Sequence, residues 1–149
     1  DINGNFTGYM TDLTRVFSLG DIPESALHAH RVSIEIQQAI MELARPGVSA
    51  AELYNRAVQI AEAGGVADYF MGHRQKAGFV GHGIGIEINE QPVLAPRSRD
   101  ILEEGMVFAL EPKFVIPEVG PVGIENSFCV TADGVEKLTD CEESIIPLD

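Results

Sequence analysis

The apolar positions of this chain change period as it runs from one end to the other. Phe6 to Phe17 is rich in aromatic and β-branched residues and follows Asn3-Gly4-Asn5, which has turn chemistry, so the opening segment predicts a β-hairpin turning at residues 3–5. From Asp21 the period becomes helical: Ala29, Val32, Ile36, Ile40 and Leu43 recur on one face until Pro46-Gly47 stops the run. Asp21 with Glu24 has the look of a capping box, and Pro23 suits a first helical turn. A second core-packing helix is predicted from Ser49, boxed with Glu52, through Leu53, Ala57, Ile60 and Ala61 to Gly64-Gly65. His28 and His30 are not i,i+4 partners and are expected on the surface of the first helix, and His73, beside Arg74 and Lys76, in a loop.

Beyond the helices the apolar runs are short. Val107 to Leu110 and Val122 to Ile124 read as buried strands, and each ends in a carboxylate, Glu111 and Glu125. Burying an ionised carboxylate costs several kcal/mol or more unless it is paired, hydrogen-bonded or bound to metal. Either these glutamates point into water from strand ends, or a positive charge is brought to them. A similar choice attends the hairpin, whose strands place Asp1 and Asp12 on one face. They are repelling neighbours without a cation, or else a solvated terminus and a strand-end residue.

Composition narrows the choice. With 10 Lys+Arg against 23 Asp+Glu the chain carries a formal charge of −13, which disfavours nucleic acid and anionic membrane as partners and suits divalent cations. No apolar run approaches the roughly 20 residues of a membrane span. At 149 residues the chain reads as one globular domain or a piece of one, and its start beside strand-like sequence suggests a longer polypeptide. Cys129 and Cys141 have neither metal nor redox spacing, and Cys129 is expected as a small core residue. Nothing demands an oxidising compartment, and a cytoplasmic location is expected. Glycines 78, 81, 83 and 85 imply close backbone approach around His82. The GxGxxG and Lys-Ser/Thr features of phosphate loops are missing.

Taken in order, the candidates are Asp1, Asp12, His82, Glu111 and Glu125, at intervals of 11, 70, 29 and 14 residues. They stand in D-x10-D ending in T-D-L-T-R, then G-H-G-I-G, A-L-E-P and G-I-E-N, and this ordered set resembles the M24 metallopeptidase family. Within it the set is most similar to Xaa-Pro aminopeptidases and prolidases, relatives of methionine aminopeptidase. The resemblance implies an α/β (α+β) pita-bread fold, a curved antiparallel sheet with helices outside and the site inside. Residues 1–149 would be the C-terminal portion of a single catalytic domain whose first strands and helices are absent from this chain. It implies two divalent metals: Asp1 on the first, His82 and Glu111 on the second, Asp12 and Glu125 bridging. A metal-bridging water would attack, with Glu111 as proton shuttle and His82 beside it. The donors, mostly hard oxygen, favour Mn, with Co, Fe or Zn possible. Tyr9, Thr14 and Arg15 would support the ligands or pack the hairpin, with packing the expected role of Thr14.

Two positions depart from the family pattern. Asn89 stands where a substrate-touching histidine is usual, and Gly123 where an arginine usually braces a bridging carboxylate. A further histidine of the family pattern would lie upstream of Asp1. The implied activity is dinuclear metal-dependent hydrolysis of Xaa-Pro peptide bonds, with a peptide as partner and a homodimer as the full-length assembly. The alternatives are a non-catalytic protein-binding module on the same fold, or a creatinase-like hydrolase of a small non-peptide C–N substrate.

Overall fold

Two helices form where the helical periodicity lies. In the computed structural model, which describes residues 1–148, α1 runs Glu24–Leu43 and α2 Ala50–Ala63. Ser49 caps α2, its hydroxyl accepting from the Glu52 backbone N–H. Asp21 does not cap α1, contrary to expectation: Pro23 takes the N-cap position without a side-chain cap, and its carbonyl accepts the first helical bonds from Ala26 and Leu27. The helices pack on each other, and Ala29, Val32, Ile36, Leu53, Ala57 and Ala61, all essentially inaccessible, are their contribution to the core. Among the described residues no helix is long and apolar enough to cross a membrane.

The opening strands are β1 (Ile2–Phe6) and β2 (Tyr9–Leu13), antiparallel, with Asn3 opposite Asp12 and Phe6 opposite Tyr9. The turn is therefore Thr7-Gly8, not residues 3–5. Both residues have positive φ, 54° and 96°, the geometry that matches the twist of a two-residue hairpin, and Asn5 accepts the Gly8 N–H through its side chain. Asn3, Gly4 and Asn5 continue the strand. A short β3 (Phe17–Leu19) follows and pairs in parallel with the last strand, β11 (Ile146–Leu148).

The main sheet is fully antiparallel, in the order β10 (Val135–Lys137), β9 (Asn126–Val130), β6 (Val107–Leu110), β4 (Gly81–Gly83) and β5 (Glu90–Leu94). A separate ribbon pairs β7 (Lys113–Ile116) with β8 (Gly120–Gly123). Strand alternation sorts the two faces. Phe108, Leu110 and Phe128 join the helices in the core, with the Phe108 and Phe128 rings stacked at 5.6 Å. His82, Ala109 and Ser127 align across β4, β6 and β9, and Ser127 donates its hydroxyl to the Asp12 carbonyl of the hairpin. Helices thus cover one face, and the hairpin approaches the other.

The glycines near His82 make this approach possible. A Cβ on Gly81 would lie 2.5 Å from the Ala109 carbonyl and one on Gly83 2.1 Å from the Gln91 carbonyl, whereas Gly78 sits in open space. Two side-chain expectations are corrected. His30 is buried, its Nε2 2.7 Å from the Glu143 carbonyl, because the C-terminal segment folds back onto α1. Cys129 is only half-buried, since it projects from β9 between the core residues Phe128 and Val130.

Candidate metal centre

Three chain segments distant in sequence deliver the central groups. Asp12 comes from β2, His82 from β4, and Glu125 from the link between β8 and β9, where its backbone bridges to Thr14. One ligand atom from each lies within 4.8 Å of those of the other two, and the residues are 8%, 4% and 2% exposed. Glu111, half-buried just beyond β6, adjoins this group: its Oε1 is 3.8 Å from His82 Nε2, and Asp12 Oδ2 is 3.9 Å from the same nitrogen. Asp1 is exposed. It stands apart from the tight trio but lines a cavity of about 490 Å³ together with Glu111 and Glu125.

The electrostatics of the cluster are those of acids short of a counter-charge. Burial, reinforced by the nearby Asp12 and Glu111, pushes the Glu125 carboxyl to about 7 against the opposing hydrogen bond from Thr14. Burial also raises Asp12, with Glu111 adding to the rise and His82 opposing it. Among the described residues Asp12 Oδ1 has no hydrogen-bond partner although it is buried, a costly state that a cation would relieve. His82 Nδ1 lies 3.1 Å from the Gly83 carbonyl; with the proton on that nitrogen, Nε2 offers its lone pair to the carboxylates' side. An orphaned oxygen, converging carboxylates and one imidazole form a donor set that fits a hard or borderline divalent cation.

Surrounding side chains hold these groups in place. Thr14, expected to pack rather than to support a ligand, takes the other of its two expected roles and donates its hydroxyl to Glu125 Oε2 at 2.7 Å. Arg15 is buried and donates to the Glu125 and Thr14 carbonyls and to Asn126 Oδ1. Gln37 of α1, which the sequence reading did not single out, donates to the Leu110 and Ile124 carbonyls and accepts from Asn126, so one helix side chain ties together the backbones leading into Glu111 and Glu125. Lys113, also missed, ion-pairs with Glu111. The signal was present in its position two residues after Glu111, but the strand pattern could not say that both face one cavity. Tyr9 does not join the site: it is exposed beside the hairpin turn and alternates to the opposite face from Asp12. Asn89, exposed, borders a second cavity shared with His82. At Gly123 a Cβ would come within 2.7 Å of Lys113 Cα and 2.5 Å of the Pro112 carbonyl, so this backbone leaves no space for an arginine there.

Known proteins share this chain's sequence pattern and fold. The sequence profile of metallopeptidase family M24 matches residues 1–132. An Xaa-Pro dipeptidase from Pyrococcus furiosus is 34% identical over 146 residues, covering 98% of this chain and 40% of the relative. A dipeptidase structure from Pyrococcus horikoshii OT3 superposes with a TM-score of 0.89 at 29% identity, over 98% of this chain and 39% of that one. An X-Pro aminopeptidase structure from Thermotoga maritima MSB8 gives 0.88 at 27% identity, over 98% and 40%. The chain thus spans about two fifths of the length of these relatives, and its fold is that part of the pita-bread architecture. A buried carboxylate–imidazole cluster in this fold and the match over most of the sequence lead to one conclusion: the chain belongs to metallopeptidase family M24.

Proposed function

We propose that residues 1–149 are the C-terminal portion of a single catalytic domain that hydrolyses Xaa-Pro peptide bonds with two divalent cations, held by Asp1, Asp12, His82, Glu111 and Glu125. The observation that carries this reading is the buried Asp12–His82–Glu125 cluster, whose Asp12 Oδ1 has no partner, beside Glu111. When bound, the cations would lower the pKa of a water held between them and polarise the scissile carbonyl. This chain's residues supply the rest. Glu111, half-buried at the cavity wall, takes the proton from the attacking water and passes it to the departing amine. Thr14 keeps Glu125 oriented, and Arg15 and Gln37 fix the backbone on either side of it. Asp12 and Glu125 would be shared by the two cations, and Asp1, outside the trio, would help hold the first.

The same reading takes Mn as the preferred cation because oxygen donors dominate, a cytoplasmic setting because Cys129 and Cys141 are unpaired, and a homodimer as the full-length assembly. Elemental analysis and Xaa-Pro dipeptide hydrolysis by the full-length protein test it. Close to two transition-metal ions per chain with cleavage lost on chelation is expected. No metal after reconstitution, or metal without cleavage, overturns it.

A further inference from the structure

Residues 141–143 are tied to the metal centre without touching it. Cys141 and Glu142 give their carbonyls to Arg15 Nη2 and Nε, and the Glu143 carbonyl lies 2.7 Å from His30 Nε2 of α1. The Glu143 side chain takes part as well: its Oε1 accepts from Lys137 Nζ at 2.6 Å and from Asn126 Nδ2 at 3.0 Å. Asn126 is fully buried and directly follows Glu125 of the cluster. Neither Asn126 nor Glu143 lines the cavity that Asp1, Glu111 and Glu125 share.

Asn126 turns the Glu143 contact into an orientation. Its Nδ2 gives one N–H to Gln37 Oε1 at 2.6 Å and one to Glu143, while its Oδ1 accepts from Arg15 Nη2 at 2.8 Å. A carboxylate only accepts and a guanidinium only donates, so a reversed amide would set oxygen against oxygen and N–H against N–H. Arg15 carries the constraint onward. Its guanidinium N–H groups are all engaged, and Nη1 donates at 2.8 Å to both the Thr14 and the Glu125 carbonyls. The backbone bonds that join Thr14 and Glu125 directly are longer, 3.3 and 3.4 Å. Arg15 is thus the closer staple between the hairpin that carries Asp12 and the link that carries Glu125, and the far side of that staple is held by Asn126 and residues 141–142.

We propose that Glu143 is a positioning residue for the metal centre: by accepting from Asn126 it sets Arg15, and through Arg15 the placement of Glu125 against the hairpin that carries Asp12. This rests on the metallohydrolase reading above. Two simpler roles give different results. Glu143 could serve only to fasten its own segment to the fold, or only to attract cations from a distance by its charge.

The test combines calorimetric titration of Mn into the metal-free full-length protein, urea unfolding in chelator, and the kinetics of Ala-Pro hydrolysis by the loaded enzyme. Glu143→Ala is expected to weaken Mn binding about tenfold, as the loss of a group that orients a ligand from behind does. It should lower kcat and leave KM unchanged, because Glu143 lies away from the cavity. Glu143→Gln keeps an Oε1 acceptor for Asn126 and should restore Mn affinity and kcat, although it lacks the charge that pairs with Lys137. A Glu143→Ala protein with a lowered urea midpoint but wild-type Mn affinity would show fastening alone, and a Glu143→Gln protein as weak as Glu143→Ala would show charge alone. Either result overturns the proposal while leaving the peptidase reading standing. Wild type that binds no Mn, or that cleaves no Ala-Pro when loaded, overturns both.

Discussion

Replacing Glu125 with a side chain that does not titrate should remove a loss of stability that the metal-free protein suffers as pH rises. Burial raises this carboxyl from 4.5 to about 7 in the folded protein, while the unfolded chain keeps the ordinary value. Between those values the folded state binds the proton that the unfolded state has released. The stability contributed is fully present below 4.5 and is lost as pH rises through about 7. At 1.36 kcal/mol per pKa unit the loss amounts to about 3 kcal/mol, most of it between pH 4.5 and about 7. Glu125 is 2% exposed, so solvent screening does not reduce the effect much. His30, whose basicity burial lowers, works in the opposite direction: its neutral form loses stability as pH falls below 6.5. The informative quantity is therefore the difference between wild type and Glu125→Gln, which keeps the shape and an acceptor for Thr14 but does not titrate. Urea unfolding in chelator across this range should show wild type losing about 3 kcal/mol relative to the variant as pH rises. Adding Mn should abolish the wild-type loss, because cations bind the deprotonated carboxylate. A difference that is flat with pH, or that grows in wild type's favour without metal, would refute the burial argument.

Other outcomes follow from the same geometry. Asp12→Ala and Glu125→Ala should abolish binding of both metals in calorimetric titration, whereas His82→Ala, which removes one neutral ligand, should mainly weaken one site; Asp12→Ala still loading two ions would void the bridging assignment. Gly123→Ala should destabilise by about 1–3 kcal/mol or more through contact with backbone at Pro112 and Lys113, read as a lowered urea midpoint, while Asn89→His, at an exposed position, should leave the midpoint unchanged. Gln37→Leu should cost about 2–4 kcal/mol, because the Leu110 and Ile124 carbonyls and Asn126 lose a buried partner; a neutral result in thermal unfolding would mean that water replaces the amide.

The local patterns in the sequence determined the elements that depend on neighbours along the chain. Helical spacing in Val32, Ile36 and Ile40 placed α1, the Ser49 cap began α2, and the apolar runs before Glu111 and Glu125 located strands that end at the site. The motif order carried the family as well, since spacing along the chain survives divergence of the residues between. Competing local signals were weighed wrongly at the hairpin: Asn3-Gly4-Asn5 and Thr7-Gly8 are both capable of turning, and only the pairing of Asp12 with Asn3 and its neighbours selects the latter. What tertiary structure alone decided are the contacts between segments remote in sequence. Folding of residues 141–143 back onto α1 and the hairpin's end buries His30 and saturates Arg15. The Thr14–Glu125 bridge turns a presumed packing residue into a hydrogen-bond donor. The alternation of β2 turns Tyr9 away from Asp12, and the register of β7 on β8 sets Lys113 over Gly123 beside Glu111. Sequence fixes which groups a chain possesses and their order, but the charge, burial and reach of each depend on partners that only the folded chain brings within a few ångströms.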